Sequence, residues 1–307
     1  MNQSVEDKPR PAGPPWIDPT IQQKMQWRDG DVVISVPGKS GTTWTMNIVY
    51  QLITGGTMDF DDIYRVVPWM EFLNRPGQPI QEVLDRIEAM PKNVRRAFKT
   101  HSAPPGVPFI KQGSGPDVKY VVVFRNPEEA AVSFRPFIAN HTDEWFKLWE
   151  MPREALCRDD FATFYNEIID ARKMQGMFFG FLAAWWALRN EPNVLFLHYS
   201  NMKRDHEGSI RKIAKFLNIE PTPSQWPAIL KYTSFDWMKQ HEDKFEVSSG
   251  SSVPILKSGA MIRKGQVGGA KADGMTDDIS RHMREIGSRI FPNPAAINWF
   301  YNGGEMP

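Results

Sequence analysis

Four short stretches carry most of the residues able to do chemistry. The first, Gly38-Lys39-Ser40-Gly41-Thr42-Thr43, packs an ammonium, three hydroxyls and two glycines into six positions. Such a set suits a tetrahedral anion, because hydroxyls and backbone amides donate while lysine adds a full charge. The second, Lys99-Thr100-His101, sets a cation beside a titratable imidazole. The third places Arg125 eight residues before Ser133, a planar donor fork and a hydroxyl of the kind a phosphate dianion takes. The fourth, Arg263-Lys264-Gly265, puts two cations on a glycine-rich turn. The six histidines are scattered, so no compact metal-ligand cluster is visible. A phosphate or sulfate is the expected ligand, and no metal is expected.

Three of these stretches follow predicted strands. Val32-Val33-Ile34-Ser35-Val36 is a β-branched run of the kind buried on both faces. After the turn, Trp44, Ile48, Val49 and Leu52 recur at helical spacing, and Gly55-Gly56 permits a left-handed stop. A short strand is expected over 94–101 and a longer one over 118–124. The second runs into Arg125-Asn126-Pro127, where Pro127 suits a first helical turn with Glu128 and Glu129 at its positive end. Another strand is predicted over 193–199. Helices are predicted over 79–90, as one long element over 161–189, and over 211–217. Ligands of open α/β sheets sit outside the carboxyl ends of strands, which puts Lys99 and His101 where chemistry belongs.

The 307 residues allow one large α/β domain, expected over 21–307 after a proline-rich, flexible arm over 1–20. Net charge is +1, which argues against a broad nucleic-acid or membrane-surface field and makes any basic chemistry local. The single cysteine, Cys157, rules out an internal disulfide and fits a reducing, cytoplasmic compartment. Met1 to Asp18 is polar and unlike a secretory leader. The longest apolar stretch, 174–188, falls short of the ~20 residues that cross a bilayer and is expected to be a buried helix. Several of the 11 tryptophans are expected to pack the core, and others to line an apolar pocket.

An ATP- or GTP-binding loop reads G-x-x-x-x-G-K-[ST]. Here its first glycine would fall on Val33, inside the predicted strand, so the loop is too short for an ordinary nucleoside triphosphate. Instead Lys39-Ser40-Gly41-Thr42-Thr43-Trp44 resembles the 5′-phosphosulfate loop of the cytosolic-type sulfotransferases, which use 3′-phosphoadenosine 5′-phosphosulfate (PAPS). The resemblance spans roughly residues 32–265, with five segments in family order. It implies a three-layer α/β/α fold with a central, mostly parallel sheet and a P-loop-like phosphosulfate loop.

The resemblance also implies roles. His101 is the general base, Lys39 acts at the bridging oxygen of the leaving phosphate, and Lys99 steadies the sulfuryl oxygens. Arg125, Ser133, Arg263, Lys264 and Gly265 hold the 3′-phosphate, and Ser40, Gly41, Thr42 and Thr43 line the phosphosulfate loop. Trp44, Tyr199, Thr233 and Phe235 serve adenine. The product is adenosine 3′,5′-bisphosphate (PAP), and no metal is required. Ser102-Ala103 follows His101 where relatives have an apolar residue and proline, and Ser200-Asn201 replaces an acidic pair after Tyr199. The family's usual dimer segment is not found, which leaves monomer and homodimer both open.

The expected acceptor is a small molecule with a hydroxyl or amine, and neither nucleic acid nor membrane is an expected partner. Segments 67–73, 137–160 and 237–260 are expected to shape its pocket, with 137–160 either a flexible flap or an amphipathic helix. A P-loop kinase and a non-catalytic nucleotide-binding protein are the alternative readings. The kinase needs the missing glycine and magnesium ligands; the non-catalytic protein would have lost the base.

Overall fold

The computed structural model describes residues 13–248 and 250–307. Its centre is a four-stranded parallel sheet: β1 (Val32–Ser35), β2 (Ala97–Thr100), β3 (Lys119–Phe124) and β4 (Val194–His198), in the order β2-β1-β3-β4. Every residue of β1, β2 and β3 is buried, as expected of β-branched and aromatic strands covered by helices on both faces. Val32 pairs with Ala97 on one side and Lys119 on the other, so the three strands start level. The chain steps from β1 to β2 in one direction and to β3 in the other. The crevice between the ends of β1 and β3 is therefore the topological switch point.

Helix α1 (Thr20–Lys24) precedes β1, and α2 (Thr42–Thr54) follows it, ending on Gly55 and Gly56 in left-handed conformation. Helices α3 (Ile63–Val66) and α4 (Ile80–Glu88) lead to β2, the second with Val83 and Ile87 buried. Helix α5 (Pro127–Ala139) leaves β3, capped by the Asn126 side chain, which accepts from the amides of Glu128 and Glu129. Between 137 and 160 the chain is packed rather than an open flap: α6 (Asp143–Leu148) is capped by Thr142 and buries Trp145 and Phe146.

The expected continuous helix over 161–189 is broken. Helix α7 (Phe161–Phe164) widens into a π-helical turn over Tyr165–Asp170, Lys173 turns left-handed at φ 53°, and α8 (Gly176–Trp186) starts afresh. Apolar periodicity spans the break, but Gly176 is a weak helix former and Gln175 is bonded back to Asp170 at 2.5 Å. Trp185 is core, as expected; its indole donates to Ser35 Oγ, which donates to the carbonyl of Ser102.

After β4 come α9 (Tyr199–Arg204), α10 (His206–Phe216), α11 (Trp226–Tyr232) and α12 (Phe235–Gln240). Helices α13 (Asp277–Ile290) and α14 (Pro294–Asn302), not foreseen above, close the sheet, with Trp299 ring-to-ring against Phe124 at 5.3 Å. Residues 1–12 of the expected arm lie outside the described residues. Its end is packed, with Trp16 at 4.6 Å from the Trp145 ring. Among the described residues no helix is long and apolar enough to cross a membrane.

Asp31 and Arg96 lock the starts of β1 and β2. Both are almost fully buried, and two hydrogen bonds of 2.9 and 2.6 Å join them as a fork. Removing one partner strands the other charge, so Asp31→Ala should cost about 3–5 kcal/mol in urea unfolding. A loss under about 1 kcal/mol would show that the pair does not lock the sheet.

Candidate active site

The turn after β1 is shaped by contacts on three sides. A Cβ on Gly38 would meet the Phe134 ring at 2.4 Å, and one on Gly41 would meet Tyr199 at 2.8 Å. Lys39 and Gly41 both have positive φ, 63° and 95°, which is costly for a lysine. The Lys39 carbonyl accepts from Arg125 Nη1 at 3.0 Å, which fixes the turn. No side chain caps α2, so its first amides, at Thr42, Thr43 and Trp44, open on the cavity those residues line. The Lys39 ammonium lies 4.2 Å from the centre of the Phe137 ring. Burial, then Arg125 and Arg263, pull its pKa down to about 7.

One strand over, Lys99 and His101 sit at the end of β2. Segment 68–71 pairs alongside: the Lys99 amide donates to Pro68 O, and the Met70 amide to Lys99 O. This brings the Trp69 ring face 2.8 Å from the Lys99 ammonium and the same ring edge-on to His101 at 5.0 Å. The His101 Nδ1 lies 2.6 Å from the Val36 carbonyl, so it carries the proton. Nε2 has no partner among the described residues. Burial first, then the charges of Lys99 and Lys39, hold the imidazole well below its usual pKa, against the Val36 bond.

Arg125, at the end of β3, ties three segments together. Besides Lys39 O it bonds Glu129 at 3.1 Å and Gln266 O at 3.2 Å. Glu129 also accepts from the Gly268 amide at 2.6 Å, latching the 260–269 loop. On that loop Lys264 pairs with Asp273 at 2.5 Å and Arg263 lies 3.6 Å from the same carboxylate. Ser133 faces the same cavity from α5.

The remaining wall is aromatic. A Cβ on Gly265 would strike the Phe235 ring at 2.4 Å, so the loop passes directly over that ring. Lys203 lies between the Phe235 and Trp44 rings, at 5.4 and 5.7 Å. The Trp44 indole donates to the Thr233 carbonyl at 2.8 Å. Two expected residues do not line the cavity. Thr233 is fully buried, its hydroxyl engaged by Ile229 O and His206, so it props Trp44 from behind. Ser40 is also buried, with its amide turned to Pro37 O.

All the other expected residues line one cavity of about 1070 Å³. Segments 67–73, 137–160 and 237–260 contribute Trp69, Phe72, Ile138, Trp145, Met238 and Val247, as the sequence predicts. The broken helix adds Phe164, Ile168, Met177 and Phe181, which the sequence reading misses. Cys157 lies beside this wall, its thiol 3.9 Å from the Ile138 carbonyl.

A family model for the sulfotransferase domain matches residues 29–290. The chain belongs to the sulfotransferase domain family. It is similar to sulfotransferase 1E1 of Cavia porcellus, 27% identical over 79% of this chain and 77% of the relative. The amine sulfotransferase of Oryctolagus cuniculus is 25% identical over 93% and 90% of the two chains. The glycolipid sulfotransferase of Mycobacterium bovis is 27% identical over 70% and 71%. Among solved structures, mouse sulfotransferase SULT7A1 complexed with PAP superposes with a TM-score of 0.65 at 22% identity, over 92% of this chain and 90% of that one.

Within this sulfotransferase domain, sequence reasoning misses Glu71, Asp273 and Lys203 as site residues. Glu71 lies in the 67–73 segment expected to shape the pocket, but nothing in the sequence singles out its carboxylate; nothing around Asp273 marks it as the partner of two cations 9 and 10 residues earlier. His141 is a further cavity residue whose neutral form the fold prefers. Burial brings its pKa down to about 4, against its bonds to the Ile138 and Phe137 carbonyls. The unfolded value of about 6.5 is higher, so stability is full above pH 6.5 and lost as pH falls toward 4. His101, His198 and His206 are depressed too and act in the same direction. His141→Gln should flatten the drop in urea midpoint between these pH values; an unchanged slope would contradict the assignment.

Proposed function

We propose that this sulfotransferase domain moves the sulfuryl group of PAPS to a hydroxyl or amine of a small, largely apolar acceptor, with His101 as base. One observation carries the reading: Lys39 and the unbonded Nε2 edge of His101 share a single cavity at the ends of adjacent strands.

The residues fit the donor. Lys39 has no carboxylate within ion-pair distance among the described residues, and burial and then two further cations lower its pKa, a setting that favours a multiply charged anion. Gly41 and Gly265 let their turns close onto the Tyr199 and Phe235 rings, where a Cβ would clash. Lys39 and the free amides of α2 would hold the phosphosulfate. Arg125, Ser133, Arg263 and Lys264 would hold the 3′-phosphate, and Trp44, Tyr199 and Phe235 the adenine. A site built to pair that phosphate discriminates strongly against nucleotides lacking it.

Once bound, the donor supplies a sulfuryl group attached to a phosphate leaving group. His101 gives its Nδ1 proton to a hydrogen bond with Val36 O, which leaves the Nε2 lone pair for the acceptor's proton. Its depressed pKa keeps it neutral, and so basic, at pH 7. Lys39 offsets charge growing on the leaving oxygen, and Lys99 steadies the sulfuryl oxygens. The apolar wall of Trp69, Phe72, Ile138 and Phe181 supports an apolar acceptor body. Relatives named for an amine and for a glycolipid support either nucleophile.

The first test is calorimetric titration with PAP beside magnesium-ATP. PAP alone should bind tightly; preference for magnesium-ATP would sink the proposal. With labelled PAPS and a panel of phenols, sterols and amines, His101→Ala should lose about 10²–10⁴-fold in transfer while binding PAP normally. Normal turnover by that variant would remove the base.

Lys39 makes PAP binding pH-dependent. A bound phosphate raises its pKa above the free value near 7, so binding above that pH takes up a proton. Affinity should be full below pH 7 and fall above it, approaching tenfold per unit. Lys39→Arg, always charged, should flatten the fall; an equally steep fall in that variant would exclude Lys39 as its source.

A further inference from the structure

Glu71 is buried to 1% exposure, yet only one of its carboxylate oxygens is used. Oε1 accepts the His101 amide at 3.1 Å and lies 2.8 Å from the Thr100 hydroxyl. Oε2 is buried without a hydrogen-bond partner. A carboxylate in this position is expensive unless a positive charge offsets it. Lys99 has the converse problem, 2% exposed, with its ammonium on the face of Trp69 and no carboxylate within ion-pair distance among the described residues. Both side chains line the same cavity, and the 68–71 pairing with Lys99 holds them in one wall.

We propose that Glu71 is a positioning residue for the transfer reaction: its carboxylate fixes the His101 backbone through Oε1 and keeps Lys99 an ammonium. Each group is offset by the other's field without direct contact. Of the charged and titratable groups around Lys99, Glu71 comes from the 68–71 segment and His101, which feels the Lys99 charge, lies beyond β2, while Lys39 lines the same cavity. The polar neighbours of Glu71 on β2 and α1, Thr100 and Gln22, are neutral. Burial pushes Lys99 toward the amine, and Glu71 is the one group that opposes this. An amine at Lys99 would leave the sulfuryl oxygens without their second cation.

The link to transfer rests on the function proposed above, but the charge state can be read without an acceptor. In protein labelled with ¹⁵N-lysine, the Lys99 Nζ resonance, assigned by its loss in Lys99→Met, separates ammonium from amine during a pH titration. Glu71→Gln keeps an acceptor for His101 and Thr100 but removes the charge. Its Lys99 midpoint should fall by two or more pH units, while PAP affinity stays within twofold of wild type. An unchanged midpoint, or a wild-type Lys99 already an amine at pH 6, overturns the proposal. If Glu71→Gln does not fold, Glu71→Asp, which keeps the charge, must fold with Lys99 still an ammonium at pH 7; failure of both variants to fold would make Glu71 a structural group only. A failed PAP titration in wild type would instead count against the sulfotransferase reading and leave the Lys99 result standing.

Discussion

The guanidinium of Arg125 is bonded at once to the turn after β1, to helix α5 and to the 260–269 loop. These segments are far apart in sequence, and each alone is an ordinary turn or helix start. Through Lys39 O, Glu129 and Gln266 O the arginine makes them one rim. Its position follows from the strand order, since β3 lies directly beside β1 and the residue that leaves β3 comes next to the turn that leaves β1. Parallel alignment then puts His101 on the other side of that turn. The site is assembled by sheet topology before any side chain chooses a rotamer.

The charges gathered there are unusually one-sided. Lys39, Lys99, Arg125, Arg263 and Lys264 converge on one cavity, and three acids temper them. Asp273 holds Arg263 and Lys264 where water partly screens them, and Glu129, itself buried, holds Arg125. Glu71 lies deepest, where screening is weakest and a single charge matters most. The arrangement leaves a net positive cavity in a protein of net charge +1, a local field without a large net charge.

Much of this was legible in the sequence because it depends on short-range rules. The β-branched run before Gly38, the missing glycine at Val33 and the proline at the start of α5 each specify local geometry through their own sterics. The four cationic or hydroxyl stretches could be read for the same reason. Residues that act through a distant partner were not legible. Asp273 matters only because the loop folds back on Lys264, and Thr233 turns away because Ile229 and His206 claim its hydroxyl. The break at Lys173 was hidden because apolar residues continue across it, and periodicity does not register a single left-handed residue. The C-terminal helices pack on the sheet through aromatic residues whose spacing carried no distinctive motif.

The lone thiol has a practical value. Cys157 is the only cysteine in the chain, partly exposed, and bonded to the carbonyl of a residue that lines the apolar wall. Burial raises its pKa, so it is a slow nucleophile at neutral pH and a better one in mild alkali. A dye attached there would sit at the outer edge of the wall formed by Ile138 and Leu156. The unaltered sequence thus carries a single attachment point for an optical reporter, from which occupancy of the apolar lobe can be followed independently of turnover.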